Sequence, residues 1–237
     1  MRFLSSCEAS ELNVYICIKT EYVMTSKSFE TWEYEQVESC FNLKRIKNLP
    51  LLTEWINTPF ETINMAKFNL SIIQERLIDN ADAWNEDEFK MFFIAPLLSQ
   101  MPLEIDDFKP FTQRTLSAKF PELDLEVSGK VEFVIARGKQ RPKQPYFFLH
   151  EYKQERRREN DPLGQLLISM VAARQNNEKK TPLFGCFVIG RDWFFVVLEE
   201  QTYSVSLAFD ATKNHELYQI VAILSAMPDI VRRYFQP

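Results

Sequence analysis

Apolar residues recur at helical spacing through the first hundred positions and at alternating or continuous spacing from Phe111 onward, so helices are expected first and a sheet second. Two short helices are predicted at residues 29–40 and 50–55, broken near Asn48-Leu49-Pro50. Ile63, Ala66, Leu70, Ile73 and Leu77 predict a helix over residues 63–79. A further helix is predicted over residues 85–100, with Phe89, Phe92, Phe93 and Leu97 at helical spacing, Asn85 as its cap and Glu88 at the capping-box position. Pro96 should kink or end it near its last turn, because proline has no N–H to donate and its ring crowds the preceding turn. The alternation Leu12 to Ile18 suits an edge strand, and it suits equally a stretch upstream of a start at Met24.

From residue 111 the pattern turns to strands. Residues 112–120 should pair with 123–127, and strands 129–136 and 145–153 should flank the loop 137–143. An amphipathic helix is predicted over 162–175, with Pro162 in its first turn and Asp161 as its cap. Strands at 183–189 and 193–199 flank Gly190-Arg191-Asp192, a short strand follows at 203–207, and residues 214–235 read as one or two helices interrupted at Pro228. All five glycines lie between 129 and 190, which suggests turns concentrated in the sheet region. This order predicts an α/β fold with a mixed sheet flanked by helices. The expected division is an N-terminal extension with a small helical subdomain over residues 1–60 and a main domain over 61–237.

Composition narrows the classes. With 46% hydrophobic and 26% charged residues the chain is an ordinary globular sequence. No apolar run approaches the length of a membrane span, and the opening octet lacks a signal-peptide core, so no membrane association and a cytoplasmic location are expected. Cys7, Cys17, Cys40 and Cys186 are scattered and should be free thiols. His150 and His215 are the only histidines, which excludes a His-rich zinc site, and His150 is expected in the core or behind a site. No nucleophile elbow, phosphate-binding glycine loop or dinucleotide fingerprint occurs. The net charge is −5, yet Arg137, Lys139, Arg141, Lys143, Lys153, Arg156, Arg157 and Arg158 cluster against only Glu151 and Glu155. That zone is either a solvated loop or a phosphate-facing surface.

The candidate chemistry lies between Lys130 and Gln165. An acid-x-lysine triplet occurs three times, at Glu88-Phe89-Lys90, Glu151-Tyr152-Lys153 and Glu178-Lys179-Lys180. The first lies in a predicted helix and the third in a polar loop. The middle one ends an apolar strand, where period two puts Glu151 and Lys153 on one face. Glu132 on the preceding strand shares its face with Val134 and Ala136, surroundings in which a carboxylate needs a metal or an ionic partner. An ion pair between Lys153 and one of these acids is the plain structural alternative. Two carboxylates and an ammonium at adjoining strand ends are also what divalent-metal phosphodiester hydrolysis needs.

In order and strand context, residues 85 to about 208 resemble the PD-(D/E)xK nuclease-like superfamily, in particular its small bacterial members. The resemblance implies a restriction-endonuclease-like mixed sheet. Glu132 would stand for the first acid, Glu151 and Lys153 for the acid-x-lysine pair, and Gln165 for the glutamine of the following helix. Asn85 to Pro96 is similar to the first-helix motif, with Glu86 a better fit than Glu88 to the helix acid. Three positions depart from the pattern: Val131-Glu132 replaces Pro-Asp, Ser169 stands where a tyrosine is common, and the first sixty residues have no counterpart. The resemblance implies Mg²⁺ or Mn²⁺ held by Glu132, Glu151 and the Tyr152 carbonyl, with Lys153 and Gln165 at the attacking water. Arg156, Arg157, Arg158, Lys139 and Lys143 would contact the substrate backbone. DNA is the first expected partner and RNA the second, and the oligomeric state stays open, a homo-oligomer included. The alternative is a nuclease-fold module without catalysis that binds nucleic acid or protein.

Overall fold

The computed structural model describes residues 24–64, 67–153 and 160–235. The expected strand at Leu12 to Ile18, the Ala66 position and Arg156 to Arg158 lie outside them. The described residues form an α/β structure with a mixed sheet of nine strands between two helical layers. The strands are β1 (Thr25–Ser28), β2 (Lys44–Arg45), β3 (Phe108–Phe120), β4 (Leu125–Arg137), β5 (Lys143–Lys153), β6 (Leu183–Ile189), β7 (Asp192–Glu199), β8 (Thr202–Val205) and β9 (Phe209–Asp210). Their order is β1-β4-β5-β6-β7-β8-β2, with β3 beside β4 and β9 beside β7. β1 on β4, β5 on β6 and β2 on β8 are parallel pairs, and the others are antiparallel. The strands expected separately at 123–127 and 129–136 are one: residues 125–137 form a continuous strand, paired with β3 except at Gln113 and Glu132.

One face of the sheet carries α2 (Pro50–Ile56), α3 (Leu70–Asn80), α7 (Asn214–Ser225) and α8 (Met227–Phe235). On it too lies a helical rod made of α4 (Glu86–Phe89), a π-helical turn (Lys90–Ile94) and α5 (Ala95–Leu98). The other face carries α1 (Tyr34–Phe41) and α6 (Pro162–Asn176). Strand alternation feeds both cores, with Phe133 and Ile135 of β4 in the first and Val134 and Ala136 in the second. Full burial of a side chain of this size contributes about 1.5–3 kcal/mol.

Several expected boundaries move for identifiable reasons. α3 begins at Leu70, seven residues later than expected, where Asn69 before it takes a non-helical backbone conformation. Pro96 stands in the last turn of its helix, which ends at Leu98, and the Ala95 N–H bonds the Lys90 carbonyl five residues back, widening the turn before the proline ring. The helix over 162–176 is not amphipathic, since Leu163 through Ala173 are all buried between the sheet and α1. The break expected at Pro228 falls two residues earlier, at Ala226 between α7 and α8, and Pro228 stands in the first turn of α8.

The described part of residues 1–60 is not a separate helical unit. β1 and β2 extend the sheet, Phe29, Trp32 and Val37 enter one core, and Leu52 and Trp55 enter the other. The glycines serve close approach as well as turns. At Gly129 in mid-strand a Cβ would come within 2.5 Å of the Phe29 ring, and at Gly164 within 2.3 Å of the Trp32 carbonyl. Cys40 and Cys186 are free thiols, and among the described residues no helix is long and apolar enough to cross a membrane.

Candidate functional site

Strand pairing opens a fork in the sheet. β3 runs along one edge of β4, its pairing interrupted at Gln113 and Glu132, but the other edge is divided: β1 takes Leu125 to Ser128 and β5 takes Phe133 to Arg137. Among the described residues, 129–132 have no strand neighbour on that side. β5 continues past His150 along β6 alone, to Lys153 opposite Ile189. Glu132 and Glu151 therefore sit one step beyond the last β4–β5 pair, Phe133 with His150, where the strands part.

A cavity of about 580 Å³ lies there, lined by Glu132, Glu151, Tyr152, Lys153 and Gln165, with Lys90 and Gln113 at its wall. Glu86, on the first turn of α4, faces the same cluster. Lys153 Nζ is 3.1 Å from Glu151 and 4.0 Å from Glu86, while Lys90 Nζ is 2.6 Å from Glu86 and 2.9 Å from Glu132. Gln113 donates from its amide to Glu132, and its own φ of 52° is left-handed, an uncommon state for a non-glycine residue within a strand. Tyr152 stands beside Glu132 in the same cavity, and its ring lies 4.7 Å from the Lys90 ammonium. Glu88 closes the capping box with Asn85 instead, each backbone N–H donating to the other side chain at 2.9 Å.

Gln165 reaches the cavity from the first turn of α6. That turn is held by Asp161, which accepts from the Leu163 N–H at 3.0 Å and from the Tyr34 N–H at 2.7 Å. Gly164 lets the turn press on the Trp32–Tyr34 backbone. Gln165 is 4% exposed, and neither its amide nitrogen nor its amide oxygen has a hydrogen-bond partner. A buried amide without partners costs free energy, so its conformation points to a group that completes it.

Three carboxylates (Glu86, Glu132, Glu151) face two ammoniums (Lys90, Lys153). Burial pushes the Glu151 carboxyl up to about 7; Lys153 pulls it down, while Glu132 and Glu86 add to the rise. Burial works against the charge on Lys90, but hydrogen bonds to Glu86 and Glu132 prevail and raise its pKa. Burial and the Glu132 charge push the Tyr152 phenol far above its ordinary range. One positive charge is lacking in the cluster, and Glu151 can take it as a proton or from a bound cation.

The donor set fits a hard divalent cation. Among the described residues no three His, Cys, Asp or Glu side chains gather to hold a metal on their own. Mg²⁺, however, is usually bound by one or two carboxylates, completed by water and substrate oxygens. Glu132 and Glu151 offer the carboxylates. The Lys153 carbonyl accepts from the Gly190 N–H on the β6 side, so by strand alternation the Tyr152 carbonyl points the other way, into the fork.

His150, between these residues in sequence, faces the opposite core, stacked on Trp193 at 5.4 Å, with burial holding its pKa down to about 3. Lys139 lines a neighbouring cavity. Lys143 is exposed at the other end of β5, roughly 30 Å from Lys153 at about 3.3 Å per strand residue, and does not join the cluster. Lys90 and Gln113 are site residues that the sequence reading missed. For Lys90 the available signal was its helical spacing from Glu86; for Gln113 there was none. No family model matches the chain, and no curated protein matches it significantly.

Proposed function

We propose that this protein is a metal-dependent nuclease of the PD-(D/E)xK, restriction-endonuclease-like type, acting in the cytoplasm on DNA first and RNA second. One observation carries the reading: Glu132, Glu151, Lys153 and the unpartnered amide of Gln165 meet in one cavity at the fork of β4 and β5. Glu132, Glu151 and the Tyr152 carbonyl would hold Mg²⁺ or Mn²⁺. Bound there, the ion would lower the pKa of a water and offset charge on the phosphate. Lys153 orients that water or holds a phosphate oxygen, and Gln165 gains the hydrogen-bond partner it lacks by bracing the water. Glu86, 4.0 Å from the Lys153 ammonium, helps to hold it in place. Lys139, Lys143 and, outside the described residues, Arg156, Arg157 and Arg158 would contact the substrate backbone without reading sequence.

The test is cleavage of DNA and RNA with Mg²⁺ or Mn²⁺ by the wild type, Glu151→Ala and Lys153→Ala. Cleavage by the wild type should fall at least a hundredfold in both variants; equal activity in all three would sink the proposal. A second reading draws on the Lys90 contacts. Its ammonium already pairs with Glu132 and Glu86, which makes the cluster a self-paired network in a non-catalytic binding module. Isothermal titration with Mn²⁺ separates the two: no ion uptake together with salt-sensitive DNA binding favours the module.

A further inference from the structure

A second cavity, of about 430 Å³, lies beside the first, and Lys90, Thr112 and Tyr152 line both. The two differ in chemistry. The first is acidic, with Glu132 and Glu151 in its wall. The second has an apolar floor, where Phe111, Phe133, Leu98 and Leu103 are all buried. Its rim is cationic: Lys109, Arg114 and Lys139 are exposed, and Glu104 is the one acid lining it among the described residues. β3 serves both chambers, sending Gln113 toward Glu132 and placing Thr112 and Arg114 at the second cavity.

An apolar floor beneath three exposed cations suits a group with a flat hydrophobic body and flanking negative charges. The volume falls within the range of about 300–1,000 Å³ that accommodates small-molecule-sized groups. A nucleoside with its two phosphates matches that description. A base in a duplex is stacked and paired on both sides and cannot enter such a recess, whereas an unstacked base can.

We propose that this second cavity takes one unstacked nucleoside of a single-stranded polynucleotide. Its flanking phosphates lie on Lys109, Arg114 and Lys139, and the adjoining phosphodiester lies in the Glu132–Glu151 cavity. The inference rests on the nuclease reading for that neighbouring site and assigns its substrate class, single strands over duplex.

The experiment is fluorescence anisotropy of labelled oligo-dT, oligo-U and a matched duplex in EDTA, where cleavage cannot intervene. The wild type should bind at least one of the single strands tenfold or more tighter than the duplex, and the two oligomers distinguish DNA from RNA. Ala95→Trp, which fills the cavity from its exposed wall, should abolish the preference. Replacing Lys109, Arg114 and Lys139 together by alanine should reduce the slope of log affinity against log salt by about 2, from about 0.7 per single-strand phosphate. Equal binding of strand and duplex, a preference that survives Ala95→Trp, or an unchanged salt slope would each overturn the inference. The nuclease reading stands or falls separately, on metal-dependent cleavage by the wild type: single-strand preference without cleavage would keep this cavity and remove the catalytic assignment.

Discussion

The Lys90 ammonium lies 2.9 Å from Glu132 on the sheet and 2.6 Å from Glu86 on its own helix, joining helix to strand where β4 and β5 part. Its side chain is only 19% exposed, so both contacts are made largely out of water. Removing one partner of such a network leaves the other charges poorly compensated. Lys90→Ala should therefore destabilise the protein by on the order of 2 kcal/mol, scaled down from a fully buried pair. Urea denaturation at neutral pH checks it, and an unchanged midpoint would show that the ammonium contributes no net stability.

Glu151 and His150 are adjacent on β5 but titrate in opposite senses. Glu151 has its folded pKa raised to about 7 from 4.5, so the folded state binds the extra proton and stability falls as pH rises across that window. His150 has its folded pKa lowered to about 3 from 6.5, so the unfolded state binds the extra proton and stability is lost as pH falls below 6.5. The swings are on the order of 3 and 5 kcal/mol respectively, and they offset between about pH 4.5 and 6.5. His150→Leu should expose a decline in stability with rising pH, and Glu151→Gln a rise. Denaturant midpoints measured at unit pH steps from 4.5 to 7.5 decide it; three parallel curves would refute the assignment.

Metal binding at the fork should compete with the Glu151 proton. Mn²⁺ affinity is expected to climb about tenfold per pH unit below about 7 and to level off above it. Calorimetry in two buffers of different ionisation enthalpy should register close to one proton released per ion at pH 6. Release of none would place the ion elsewhere.

Gly164 tests how the cavity's glutamine is positioned. Any Cβ there meets the Trp32 carbonyl at 2.3 Å, a backbone atom that cannot swing aside. Gly164→Ala should cost about 1–3 kcal/mol as overpacking and displace the first turn of α6, carrying Gln165 with it. The expected signature is a lower melting temperature together with weaker metal-dependent cleavage. A variant as stable and as active as the wild type would show that the contact relaxes freely.

Signals that act within a few residues were legible in the sequence. Asn85 and Glu88 close their capping box, Asp161 caps α6 one residue before Pro162, and period two sets Glu151 and Lys153 on one face with His150 on the other. Each depends on chain geometry over one turn or one pleat. The helix over 162–176 shows where that ends: the layer laid across it by α1 and the preceding Phe29–Trp32 segment makes its outer face buried.

The sequence by itself thus determined the mixed α/β order and the candidate acids, because hydrophobic period and capping chemistry are local. The tertiary structure alone decided that β1 and β5 divide one edge of β4, leaving the gap in which Glu132 meets Glu151. It also decided that Lys90, from an acid-x-lysine triplet set aside as helical, reaches that gap. Contacts between residues this far apart, 19 positions for Glu132 and Glu151 and 42 for Lys90 and Glu132, depend on which strands pair and where they stop, and no local pattern of side chains encodes that.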